Sequence, residues 1–298
     1  MLHVHNGDVS AQGARQQGVP GRHVAFREAL STGPTPATLS DETWVETRTT
    51  FLAQAYEEDR EKCRAEYRAM LGELDAISDG ETVVLHFDDD MFCQVNMMFV
   101  VHRVYGAGAV GELCYMNEKR PLSNAELSGY VRAWEAYTSS DPRNVEALAR
   151  SGTLPSALQD ALKLHLSRFP SSRDGLAETE RTLLDILTAG PLSFLDVFRA
   201  FSRRAPDYGS GDHQVWLELQ RLAGSQPAAV HVQAEAHPLR RGTFMEARVE
   251  LTALGRELLQ GGADFLAHAA ETWLGGARVG PPRTSWRRDD DGNLVLPS

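Results

Sequence analysis

The chain opens on a short apolar run, Leu2-His-Val-His5, that stops at Asn6-Gly7-Asp8, and helical spacing follows from Val9 to Gln17. Gly18 closes that helix, and His23 to Arg27 reads as a second strand. Residues 29–40 are rich in Pro, Gly, Ser and Thr and read as a loop, long for a strand-to-helix connection. Ser40 or Asp41 can cap one helix running to Asp75, with Trp44, Phe51, Leu52, Ala55, Tyr67, Met70 and Leu74 on its apolar faces. Thr82 to Phe87 is a third strand, Met91 to about Tyr105 a helix, and Gly111 to Met116 a fourth strand. Strand and helix alternate with short connections, which predicts α/β architecture: a parallel, Rossmann-like sheet over residues 1–121, covered on both faces.

The pattern then changes. Residues 122–177 read as a helical connector, with caps at Ser123 and Ser156 and a break at Asp141-Pro142. Residues 178–298 are mainly helical at first: Glu178 to Leu187, a turn at Gly190-Pro191, Ser193 to Arg203, and Asp212 to Ala223. An extended pair follows, Ala229 to Val232 and Ala247 to Leu251, and then a helix from Thr252 to Leu259. That order is the order of a winged helix. Trp286 and Arg287-Arg288 precede three aspartates that read as a turn.

Composition narrows the function classes. A net charge of −11 argues against attraction to phosphate backbones or anionic membranes. From Leu176 to Gln260 there are nine Arg and no Lys against eleven Asp and Glu, a net of about −2, so nucleic acid is not the expected partner of the winged-helix-like segment. No apolar run is long enough to span a membrane, and the N-terminus has no secretory pattern. Cys63, Cys93 and Cys114 form no CxxC pair, which fits a reducing, cytoplasmic setting. A homodimer through the helical half is allowed, although nothing in the sequence requires it.

Candidate chemistry gathers where strands end, because ligands of open α/β sheets bind at the carboxyl ends of the strands. Asn6, Gly7 and Asp8 stand at a helix N-terminus, a position suited to an anion, a hydroxyl, an amine or a metal ion, although Asp8 also reads as a simple helix cap. Glu28 lies 21 positions after Gly7, where dinucleotide-binding sheets place a ribose-binding acid, but the GxGxxG fingerprint is absent. Asp88-Asp89-Asp90 follows the third strand, with Gln94 one helical turn on. Asp88 and Asp90 are the candidate ligands of a divalent metal, and Asp8 and Asp90 the candidate catalytic carboxylates. Asp89 and Asp90 read first as solvated helix-start residues favoured by the macrodipole, since acid clusters without a motif are usually structural. His3 and His5 share one strand face; an HxH pair can bind metal, but inside a strand it reads first as packed or hydrogen-bonded. His165 is the candidate base and Arg168 the candidate anion holder, against a reading in which both favour a helix C-terminus. The acidic neighbours of Cys93 raise a thiol pKa and discount it as a nucleophile.

Taken together, the motifs resemble a bacterial family whose N-terminal half is called domain of unknown function 1835, joined to a second uncharacterised domain. The resemblance rests on His3-Val-His-Asn-Gly-Asp8, Arg27-Glu28 with Gly33-Pro34, and Leu85-His-Phe-Asp-Asp-Asp90-Met-Phe-Cys-Gln94. It extends to His165-Leu-Ser-Arg-Phe-Pro170, Glu178-Thr-Glu-Arg181, Gly211-Asp212, Leu251-Thr-Ala-Leu-Gly-Arg256 and Trp273-Leu-Gly-Gly276. It implies no activity. It does imply a histidine at the position where this chain carries Asp89.

The expectation is therefore a protein that binds a small polar molecule, nucleotide- or sugar-like, at the strand ends through Asn6, Gly7, Glu28, Gln94 and Arg168. Metal-assisted or acid/base catalysis by Asp8, Asp90 and His165 is open, and so are two alternatives: a ligand-sensing winged-helix regulator and a non-catalytic interaction protein.

Overall fold

A computed structural model of the chain describes residues 1–37, 40–78, 80–106, 110–116, 118, 120–233, 243–281 and 285–296. Strand β1 (Leu2–His5) is buried along its whole length, so it forms at the centre of a sheet rather than at its edge. It pairs in parallel with β2 (Arg22–Ala25) on one side and β3 (Glu81–His86) on the other. Next to β3 lies β4 (Val110–Tyr115), also parallel. The fifth strand, β5 (Arg120–Pro121), is antiparallel to β4, giving the order β2-β1-β3-β4-β5. The sheet is thus mixed, which corrects the all-parallel expectation. Only a few residues separate β4 from β5, too few for the crossover that a parallel neighbour needs.

Helix α1 (Asp8–Gln16) connects β1 to β2. The long helix expected up to Asp75 is two helices, α2 (Asp41–Tyr56) and α3 (Arg60–Asp75). Glu57 adopts a left-handed conformation, φ 53°, and ends the first; the Asp59 side chain accepts from the Lys62 N–H and starts the second. Ser40 caps α2 by accepting from Thr43. Helix α4 (Met91–Gly106) follows β3 and is buried through most of its length, against α3, α5 and α7.

Helices α5 (Asn124–Thr138), α6 (Arg143–Arg150) and α7 (Ser156–Ser167) come next. Ser123 and Glu126 form a reciprocal capping box at the start of α5. Tyr130, Trp134, Tyr137, Leu158 and Leu162 on these helices belong to the same buried cluster as the sheet. A second cluster holds α8 (Glu178–Ile186), β6 (Leu192–Ser193), α9 (Phe194–Arg204), α10 (Asp212–Ala223), β7 (Val230–Gln233), β8 (Arg248–Leu251) and α11 (Ala253–Leu259). Its strands pair antiparallel in the order β6-β8-β7, and Val249 and Leu251 turn inward at the two-residue spacing of a half-buried strand. The expected extended pair falls on β7 and β8; residues 234–242 between them lie outside the described residues.

The chain then returns to the first cluster. Hairpin β9 (Thr272–Leu274) and β10 (Ala277–Val279) packs on the end of α5, where a Cβ at Gly276 would run into the Thr138 carbonyl. Strands β11 (Arg287–Arg288) and β12 (Leu294–Val295) enclose the three-aspartate turn, whose Asp289 carboxylate accepts from Asn293. Among the described residues, no helix is long and apolar enough to cross a membrane.

Candidate functional site

Beyond the ends of β1 and β2 opens a cavity of about 520 Å³. Its walls come from the residues after β1 (Asn6, Gly7, Asp8), those after β2 (Phe26 to Ala29), the end of α2, one face of α3 and Phe92 of α4. Leu52, Cys63, Tyr67 and Met70 are buried and form an apolar floor, while Asp8, Arg27, Lys62 and Glu66 are exposed and form a rim of both signs. Gly7 caps α1 at φ 101°, a conformation that disfavours side chains, and no side chain caps that helix end. Asp8 is instead the first residue of the helix. Arg27 holds its carboxylate in a fork, with Nε 2.8 Å from Oδ2 and Nη2 2.7 Å from Oδ1.

Glu28 reaches the same region but is not available to a ribose. Its carboxylate is buried and faces Arg48, which donates from Nε and Nη2 at 2.7 Å each. The Ala29 N–H and the Tyr67 hydroxyl donate to it as well, at 2.6 and 3.0 Å. Arg48 spends its remaining donors on the carbonyls of Ala29, Thr32 and Pro34. The pair therefore pins the loop after β2. A buried charge needs such full pairing, and the Glu28 carboxylate is engaged by it. Arg48 was missed by sequence reasoning. Its signal is a lone arginine between Trp44 and Leu52 on one helical stripe, which must be buried and so must find an acid.

The crevice between β1 and β3 is filled by the protein itself. The Asn6 amide donates to Cys93 Sγ at 2.9 Å, and the Asn96 amide donates to Asn6 Oδ1 and to the Glu28 carbonyl. Gln94, expected to touch ligand, is fully buried: it donates to the Asp88 carbonyl and Tyr115 and accepts from Tyr130. Asp90 accepts from the Cys93 N–H at 2.8 Å, and Gly209 packs so closely on its carboxylate that a Cβ there would overlap it. Burial pushes the Asp90 carboxyl up, and burial with Asp90 alongside pushes the Cys93 thiol up further. Ligand atoms of Asp88, Asp90 and Cys93 lie within 4.8 Å of one another, with Asp88 exposed and Cys93 buried. Asp89, at the position where the family resemblance implies a histidine, accepts from the Tyr115 hydroxyl at 2.5 Å.

His165 is not at a strand end. It is buried between Tyr137 and Phe169, with ring centroids 4.6 and 5.6 Å away, and its Nδ1 has no hydrogen-bond partner among the described residues. Burial, with Arg168 nearby, lowers its pKa to about 3, and the ring is not among the residues lining the cavity beyond β1 and β2. Arg168 donates to the Ser31 carbonyl at 2.6 Å and lines a different cavity, about 490 Å³, between the two buried clusters. The structure thus gathers Asn6, Gly7, Asp8 and the Glu28 backbone at one cavity. It leaves Asp88, Asp90, Gln94, His165 and Arg168 out of it.

A smaller cavity of about 310 Å³ shares Tyr56, Glu58 and Lys62 with the first and continues it to His213, Trp216 and Phe244 of the second cluster. Tyr56 accepts from Gln214 at 2.6 Å and stacks on His213 at 5.1 Å. Among protein-family models and among curated proteins, none matches the chain. The resemblance read from its motifs rests on those motifs.

Proposed function

We propose that this protein binds a small polar molecule, nucleotide- or sugar-like, in the cavity beyond β1 and β2. The observation that carries this reading is the cavity itself: a volume in the range of small-molecule sites, an apolar floor with aromatic walls, and a charged rim around an uncapped helix N-terminus. The Gly7 backbone and the N–H groups of α1 suit an anionic or hydroxylated group. The Asp8–Arg27 fork and Lys62 give the rim donors and acceptors for a polar body, and Phe26, Tyr56 and Phe92 offer surfaces for a ring. The crevice at β1 and β3 supports no equal reading, because its polar groups are already engaged with one another.

The helix and strand order from α8 to β8 is that of a winged helix, which keeps a regulator in view. In that comparison α10 is the helix that would enter a DNA groove. Of its residues only Gln220 is exposed, since the helix packs on Tyr56 and on its own core. This favours small-molecule binding over DNA reading by the same arrangement.

The test is a thermal-shift series of the full chain with nucleotides, sugars, sugar phosphates and divalent cations. A ligand of the native state raises the melting temperature with concentration. The reading expects a shift in the wild type and in Asp90→Ala, and its loss in Asp8→Ala and Lys62→Ala. A shift that survives both rim variants, or no shift with any compound, overturns it.

A further inference from the structure

Four histidines converge on one face of the sheet, beneath α1. His3 and His5 come from β1, His23 sits beside His3 on β2, and His86 sits beside His5 on β3. Their rings close a circuit with centroid separations of 4.7 Å (His3–His23), 5.2 Å (His23–His5), 4.1 Å (His5–His86) and 5.1 Å (His86–His3). His3 and His5 are packed and hydrogen-bonded, as the strand spacing leads one to expect. What the spacing does not show is the joining of β2 and β3 to the set. None of the four lines the cavity beyond β1 and β2.

We propose that this cluster is a binding site for a divalent transition-metal cation, zinc in the first instance, held by His3 Nδ1, His5 Nε2 and His23 Nδ1, with His86 Nε2 beside the open position. One nitrogen from each of His3, His5 and His23 lies within 4.8 Å of the others, and His5 Nε2 and His23 Nδ1, 3.0 Å apart, stand near the separation of about 3.3 Å between ligands in a tetrahedral zinc site. In His3, His5 and His23 the nitrogen turned away from this centre has a partner of its own. His3 Nε2 donates to the Pro20 carbonyl at 3.2 Å, and His23 Nε2 donates to the Val19 carbonyl at 2.9 Å. His5 Nδ1 lies 2.9 Å from the Ser10 hydroxyl. Outer partners of this kind set the tautomer and the ring plane of metal-bound histidines.

Two contacts hold the centre closed: His5 Nε2 to His23 Nδ1 at 3.0 Å and His86 Nε2 to His3 Nδ1 at 2.9 Å. A cation replaces both. The Nδ1 lone pairs of His3 and His23 already face the centre. His5 must move its proton from Nε2 to Nδ1, where the Ser10 oxygen accepts it, so no net proton leaves the rings. The outer carbonyls fix His3 and His23 in the tautomer whose Nδ1 carries a lone pair, the form that binds metal. The cover over the site is the exposed turn 17–21, whose Gly21 rests directly on the His3 ring. Arg15 and the terminal ammonium are the cations felt by the rings, and they oppose the ion.

The experiment is titration of metal-stripped full-length protein with zinc against a chromophoric chelator, followed by cobalt as a spectroscopic probe. The site expects saturable binding of one equivalent and tetrahedral cobalt bands with nitrogen ligation. Affinity should fall about tenfold or more in each of His5→Gln and His23→Gln, fall less in Ser10→Ala, and rise in Arg15→Gln. Circular dichroism and melting of the metal-free variants separate lost ligands from lost folding. The wild-type cobalt spectrum does not depend on any variant folding. Absence of one-equivalent binding overturns the proposal. So does binding that survives the histidine variants, or that disappears in Asp88→Asn and Cys93→Ser in their place.

Discussion

Two crevices at the ends of neighbouring strands in one sheet have opposite fates. Between β1 and β3 the strand order reverses, the position where open α/β sheets usually take ligands. In this chain Asn6, Cys93, Asp90 and Asn96 bind one another there, and Gly209, next to Tyr208 of the same buried cluster, packs on the carboxylate. Between β1 and β2 the corresponding charge, Glu28, is drawn inward onto Arg48, and the space above it stays open. Polar residues at strand ends are thus a site only where they are not needed by each other. Which crevice opens is decided by partners far along the chain, Arg48 and Gly209.

That contrast breaks most visibly at Arg48. Removing one member of a buried ion pair leaves an uncompensated charge, which costs about 3–5 kcal/mol. Arg48→Met should therefore lower denaturant stability by that order and loosen the loop after β2. The double variant Glu28→Gln with Arg48→Met should recover a large part of it. An Arg48→Met protein as stable as wild type would mean that the pair does not hold the crevice open.

Acid should act on the scaffold that both crevices share. The folded-state pKa of His165 lies near 3, below its unfolded value of 6.5, so folding excludes a proton that the unfolded chain takes up. The stability it contributes is fully present above pH 6.5 and falls as pH drops from there toward 3, by about 1.4 kcal/mol per pH unit, or about 2 kcal/mol by pH 5. His5 adds to the same slope. Replacing His165 with Gln should flatten the decline of melting temperature between pH 6.5 and pH 5; an unchanged slope would show that the ring is not kept neutral. A smaller effect is expected from Gly209→Ala. Its Cβ meets the Asp90 carboxylate at a left-handed backbone position, φ 62°, so a loss of about 1–2 kcal/mol should appear in denaturation. Ligand binding beyond β1 and β2 should survive, and its loss would mean that the two crevices are coupled.

Much of the fold was legible from the sequence, and the site less so. The periods of residues 2–17 and 82–116 give the strands and helices correctly, because local patterning reflects which face each element buries. The split of the 41–75 helix was hidden by an unbroken helical composition; only a left-handed Glu57 and a capping Asp59 reveal it. Asn6, Gly7 and Asp8 fall at the strand end, beside a cavity, because a glycine between a strand and a helix constrains the backbone wherever the rest of the chain goes. Where the side chains of Glu28, Gln94, His165 and Arg168 end was not legible, because each is set by a partner distant in sequence: Arg48, Tyr130, Tyr137 and Ser31. The histidine circuit was half visible, as HxH on β1; His23 and His86 join only through sheet order.

The smallest change in stability should sharpen the comparison most. Asp8 and Arg27 form an exposed pair, with side chains 60% and 52% accessible, and exposed ion pairs contribute under about 1 kcal/mol. Asp8→Ala should therefore leave the melting temperature close to wild type while abolishing the ligand-induced shift. The variant frees the Arg27 guanidinium and removes a negative charge from the positive end of α1, so inorganic phosphate should bind Asp8→Ala more tightly than wild type even as the native ligand is lost. Asp8 would then be the residue that selects a hydroxylated or cationic group over a bare anion. If Asp8→Ala lowers stability and keeps the ligand, the carboxylate serves the helix alone, and the open crevice recognises its ligand through Lys62 and the Gly7 backbone.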